Sequence, residues 1–315
     1  MNAPSARLTL LVAPLYLLIA CSSTPTAPTA APAKQPEPVS SPATVESRAQ
    51  DILAALRASQ VERDSARALT YAERALAREP QRPELLWLTA RLCMDVPRCE
   101  PTTYEARLRK ADPGNGAVWM GPLTRAQEKG DSAVEAQVLE VMGKESRFDV
   151  YWNSLLSQAA VTLSREAGKP APKMLNGPLT NAINDVADWL TAVVVPSFAE
   201  IANACSRERT RAAQQAERCR NVAKVMQQGD TYAAEAVGIG IAQRAMSEDS
   251  PSNIALTEHA AVLSYQHDTA RDVLAEQVER EKLSAELIEL MKKLRREQEV
   301  SLAVLRWAGL PLTPK

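Results

Sequence analysis

Few side chains in this chain of 315 residues could do chemistry: it carries two histidines and five cysteines. His259 and His267 lie on one predicted helix, separated by about 12 Å in rise and about 80° in azimuth. They cannot chelate one ion together without a bend, so each reads as a surface or core histidine rather than a metal ligand. No H-E-x-x-H, G-x-S-x-G or G-x-x-x-x-G-K-[ST] occurs. Gly238-Ile239-Gly240 begins like a dinucleotide-binding loop, but Gln243 replaces the third glycine and no strand precedes it. Close helix packing explains those glycines better. The carboxylates Glu145, Asp149, Asp185, Asp188 and Glu200 would suit general acid–base work if two met in a cleft, yet none stands out as a buried pair. Arg207, Arg209 and Arg211, and the segment Lys292–Arg296, are interleaved with or followed by Glu. Solvated helix faces account for both better than a site for an anionic partner. No catalytic residue, metal or cofactor is expected.

The elements that would carry these residues are helical. Lys+Arg number 37 against 38 Asp+Glu, which removes the basic footprint of a nucleic-acid binder. With 11 glycines, 4% aromatic residues and abundant Ala, the composition argues for an all-α fold and against a β-sandwich, a barrel or a Gly-rich nucleotide fold. The length allows one large or two ordinary domains.

The first twenty residues, MNAPSARLTLLVAPLYLLIA, place one cation at Arg7 before an apolar run from Leu8 to Ala20. The run is too short to stay as a membrane helix, and Pro14 interrupts it; it reads as a signal peptide. Leu18-Ile19-Ala20-Cys21 resembles the lipobox of bacterial lipoproteins. That resemblance implies cleavage before Cys21, acylation of its thiol and of the new amine, and anchoring by several acyl chains where one would be marginal. Ser22 stands where many inner-membrane lipoproteins carry Asp, so the resemblance implies an outer-membrane anchor with the body facing the periplasm.

From Ser22 to Val45, 19 of 24 residues are Pro, Ala, Thr or Ser. Such a stretch buries too little apolar surface to offset ordering, so 21–45 is expected to be a lipidated cysteine followed by a disordered, largely extended tether. Helical patterning starts at Glu46, and 64–79 carries Ala68, Leu69, Ala72, Ala75 and Leu76 at helical spacing before Pro80 stops it. Trp87, Trp119 and Trp152 recur at near-equal spacing, Glu79-Pro80 and Asp112-Pro113 precede the first two, and Asp131 is placed to cap a helix. This pattern resembles tetratricopeptide (TPR) repeats over 46–166, with the three tryptophans in the repeat core. The match is incomplete: the Leu-Gly pair is missing after Trp87, Pro122 intrudes after Trp119, and Leu156 replaces Gly after Trp152. Residues 167–178 read as a linker and 179–315 as a second helical domain, with helices near 179–195, 197–206, 210–228 and 231–247. A long one follows over 252–307. Leu283, Leu287, Leu290 and Leu294 form a seam on it, suited to packing within the domain or to a coiled coil.

With Cys21 lipidated, Cys93, Cys99, Cys205 and Cys219 remain in an oxidising compartment and read as disulfides. Local pairing is the economical choice. Cys93–Cys99 would clip a helix–helix corner at Pro97. Cys205 and Cys219 would be about 21 Å apart along a straight helix, so pairing requires a hairpin turn at 206–210. A Cys₄ zinc site is the rival, but no C-x-x-C pair occurs.

These readings converge on an envelope-anchored lipoprotein acting as a protein-interaction or scaffold module, bound to the membrane through its lipid and to an envelope or periplasmic protein partner. The alternative is a periplasmic cell-wall-acting enzyme whose carboxylates assemble only in the fold.

Overall fold

Wherever the computed structural model describes the chain, over residues 42–166, 179–247, 249–276 and 289–314, the apolar stripes become helices, and among these residues there is no strand. In order they are α1(Pro42–Gln60), α2(Ser65–Arg78), α3(Pro83–Cys93), α4(Pro101–Ala111), a 3₁₀ turn at Gly116–Trp119, α5(Met120–Glu128), α6(Ser132–Met142), α7(Trp152–Glu166), α8(Leu179–Val194), α9(Ala199–Ala204), a second 3₁₀ turn at Arg209–Arg211, α10(Ala213–Met226), α11(Tyr232–Arg244), α12(Pro251–Glu276) and α13(Glu297–Trp307). Among these residues no helix is long and apolar enough to cross a membrane. Cys21, residues 22–41 of the tether and the 167–178 linker lie outside the described residues.

Local chemistry sets the boundaries. Asp64 caps α2 by accepting from Arg67 N at 2.9 Å, and Asp131 caps α6 by accepting from Val134 N at 3.0 Å. Pro83 and Pro101 occupy first helical positions, where no amide donor is needed. Gly130, at φ +66°, makes the turn between α5 and α6 that other residues resist. On α2, Ala68, Leu69, Ala72, Ala75 and Leu76 are all buried, so the stripe read from sequence faces the core.

The helices pair in chain order, α1 with α2, α3 with α4 and α5 with α6, while α7 packs on α1 and α8, and α8 also meets α3. One buried core runs from Ile52 through Leu86, Leu139 and Leu155 to Val186, Met226 and Leu305, drawing on both 46–166 and 179–314. Trp87 Nε1 donates to Val194 O at 3.0 Å and Arg91 Nε to Val193 O at 3.1 Å, satisfying carbonyls left over at the end of α8. Trp152 Nε1 reaches Thr191 Oγ1 at 2.9 Å.

Four corners between helices are laced side by side. Gly116 N donates to Arg147 O at 2.8 Å, Asp230 N to Phe148 O at 3.2 Å, and Glu297 N to Asp230 O at 2.8 Å. Side chains repeat the lacing. Asn115 Oδ1 accepts from Asp149 N; Asp230 accepts from Val150 N at 2.8 Å and Trp152 N at 3.1 Å; Glu297 Oε2 accepts from Tyr232 N at 2.7 Å. Each corner thus supplies the acceptor for its neighbour's amides. Tyr151 holds φ +60° here, with its hydroxyl donating to Asp112 and accepting from Asn115 Nδ2.

Both disulfides expected from spacing are present, Cys93–Cys99 with Cα atoms 5.4 Å apart and Cys205–Cys219 at 5.6 Å. The second closes over the turn between α9 and α10. Two expectations need correction. The single helix over 252–307 is broken: α12 is described to Glu276, and a turn after residue 291 leads to α13, because Arg295 and Arg296 leave the helical path to reach Asp149 and Glu235. Of the leucine seam, Leu290 and Leu294 are half-buried, whereas Leu283 and Leu287 lie outside the described residues. Finally, close packing accounts for Gly238, where a Cβ would meet Ala223 O and Gln227 N at 2.9 Å, but Gly240 has open space.

Candidate functional site

A cleft bounded by α4, α5 and α6 has a volume of about 500 Å³. Its walls are two helical stripes. Pro122, Arg125, Ala126 and Lys129 recur at i, i+3, i+4 and i+7 along α5 and its C-cap, and Val134, Gln137, Val138 and Val141 do the same on α6. Arg109, from the last turn of α4, and half-buried Trp119 complete it. One wall is cationic and the other apolar. Val134 is 40% exposed, more than an aliphatic side chain in a closed helix pair would be.

Arg109 lies over the Trp119 ring, 5.2 Å from its centroid. Behind it stands Glu105, whose two carboxylate oxygens take Arg125 Nη1 at 3.0 Å and Nη2 at 2.5 Å. That bidentate bond holds Arg125 above its ordinary value, whereas burial, with Arg125 nearby, pushes Arg109 below its own. Arg109 is left 3.9 Å from the same carboxylate, and its buried Nη1 has no hydrogen-bond partner. Gly121 lets Glu105 sit there, since a Cβ at that position would run into the carboxylate. Lys129 is exposed and has no ion-pair partner among the described residues. Asp131, the one acid in the lining, is already spent on capping α6. On the far side of Trp119, burial pushes Glu145 up, opposed by a hydrogen bond from the indole and by Arg147.

A second cleft, of about 420 Å³, lies between α3, α4, α5 and the 196–200 turn, and shares Arg125 with the first. It holds Trp87, Arg91, Glu128 and Glu200, and Cys99 of the first disulfide touches it.

Of the three evenly spaced tryptophans, Trp87 and Trp152 are buried at 5% and 9% exposure, while Trp119 faces the cleft. His259 Nε2 meets Glu235 Oε1 at 2.7 Å; His267 stacks on Tyr232 with centroids 4.4 Å apart and reaches Glu297 at 3.5 Å. No group of three or more His, Cys, Asp or Glu able to hold a metal occurs among the described residues. The acids that do meet, Asp112, Asp149 and Asp230, meet in the buried corners, where Arg147 binds the first two and Arg295 binds Asp149 at 2.7 Å.

Two of the arginines read as solvated faces, Arg209 and Arg296, require correction. Arg209 pairs with buried Glu135, and Arg296 bonds Gly229 O at 2.9 Å and Glu235 at 2.6 Å, so they pin helices together. Charge alternation in sequence cannot distinguish a solvated arginine from one reaching a distant buried acid. Arg109, Arg125, Lys129 and Val134 went unrecognised as cleft residues. The signal was there in the i, i+3, i+4, i+7 stripes of α5 and α6, but the α5 stripe is half cationic and so lacks the apolar mark of a core face. No protein-family model, curated protein or solved structure matches this chain, so the reading of the cleft rests on its own geometry.

Proposed function

We propose that the protein is an outer-membrane lipoprotein, anchored through Cys21, whose TPR-like body on its 22–41 tether docks a protein partner in the periplasm. The cleft between α4, α5 and α6 is the docking site. The observation that carries this is the pair of facing stripes with exposed Val134: a groove two helical turns long, apolar on one wall, suits a chain segment laid along it. The neighbour-by-neighbour pairing of α1 to α6 supports the TPR-like reading, and the lipobox resemblance supports the anchor.

A photocrosslinking residue placed at Val134 in intact envelopes tests it. One discrete protein adduct is expected from Val134, absent when the same residue replaces Ile254, which is also exposed, on α12. Adducts to lipid alone, or equal adducts from both positions, would remove the docking reading.

A further inference from the structure

Resting on that docking reading, we propose that the α4–α5–α6 cleft recognises an acidic peptide segment. One carboxylate of the segment sits on the cationic side made by Arg109 and Lys129, and an adjacent apolar side chain lies on Pro122, Val134 and Val138.

The charge count of the lining favours an anion. Arg109, Arg125 and Lys129 face Asp131 alone, and the Asp131 carboxylate is committed to Val134 N. Arg125 is in turn committed to Glu105 through both oxygens. What remains unspent is the guanidinium of Arg109, over Trp119 and 3.9 Å from a carboxylate that another arginine has claimed, and the ammonium of Lys129. A half-buried cation with incomplete pairing gains most from a further carboxylate, because its desolvation cost is already met.

The shape selects a peptide over a small anion. The α5 and α6 stripes each run seven helical steps from first to last position, about 10 Å of helix at 1.5 Å per step. A phosphate would touch the cationic end and leave the Val134 wall exposed to water. An acidic residue followed by Leu or Val would cover both, and Trp119 under Arg109 adds a rigid floor.

The test is fluorescence anisotropy with the full mature protein in neutral detergent. The probes are a fluorescein-labelled peptide of alternating Glu and Leu and its twin with Gln for every Glu. The acidic peptide is expected to bind saturably and the twin about tenfold more weakly or less. Lys129→Glu, at an exposed position, is expected to weaken the acidic peptide about tenfold while leaving the thermal unfolding midpoint nearly unchanged, and Lys129→Ala is expected to fall between. Salt at about 1 M, where the screening length is roughly 3 Å, should remove most of the preference. Equal binding of both peptides, with Val134→Gln weakening each, would overturn the acidic specificity and leave the docking reading standing. Binding of neither, or wild-type binding by Lys129→Glu, also overturns the proposal, and the Val134 photocrosslink then decides the docking reading by itself. Displacement by inorganic phosphate or by phosphatidylglycerol vesicles as readily as by unlabelled acidic peptide would make the cleft a general anion site and sink the peptide assignment.

Discussion

Asp230→Asn is the perturbation whose consequence the structure specifies most closely. Asp230 is buried at 3% exposure, and its two oxygens accept from Val150 N and Trp152 N. Burial pushes its carboxyl from 3.8 up to about 8; Asp149 adds to this and, more weakly, so does Glu297, while the two backbone amides oppose it. Arg147 and Arg295 also enter this surrounding, through Asp149. A carboxyl raised on folding holds its proton more tightly in the native chain than in the unfolded one. Its stabilising contribution is therefore full below about pH 4 and is lost as pH rises through about 8. At 1.36 kcal/mol per pK unit, about 4 kcal/mol of that loss falls between pH 5 and pH 8. Asparagine cannot titrate, but its NH₂ faces one of the two amides and leaves a buried donor unmet, a cost of about 1–3 kcal/mol independent of pH. Urea unfolding of wild type and variant at pH 5 and pH 8 separates the two effects, since groups shared by both proteins cancel in the difference. The variant should be the less stable at pH 5, and its deficit should shrink by about 4 kcal/mol at pH 8 and change sign. Parallel stability curves across this range would refute the reasoning.

Three further outcomes follow from other parts of the molecule. Replacing Cys205 and Cys219 together by Ala opens a 15-residue loop and should cost about 3 kcal/mol in denaturant unfolding, and an unchanged unfolding midpoint would refute this. Gly121→Ala drives a methyl group into the Glu105 carboxylate; it should break the bidentate bond to Arg125 and cost about 1.5–3 kcal/mol, read as a lower unfolding midpoint than that of Gly240→Ala, where space is open. Intact mass of the protein recovered from membranes should lack residues 1–20 and carry acyl chains on Cys21, and a free Met1 terminus would exclude the lipoprotein reading.

Much of the scaffold was readable in advance because its causes are local. Alanine and leucine at helical spacing in α2, and Asp131 as the cap of α6, act within a turn of themselves. Both cysteine pairs were also within reach, since six and fourteen residues of separation leave few geometries that close. The cleft was not. Arg109, Arg125 and Lys129 are ordinary helix-surface residues until Glu105, four residues before Arg109, is seen to be claimed by Arg125 from another helix.

Sequence alone thus determined the helical class and the cysteine clips, since composition and short-range spacing are sufficient for each. Tertiary structure decided which charges are spent. Asp230 caps amides 78 and 80 residues away, Arg295 crosses 146 residues to Asp149, and Arg109 is left short of a partner by a competitor 16 positions along the chain. Coulomb and hydrogen-bond energies depend on distance through space and on burial, and neither is a function of separation along the sequence.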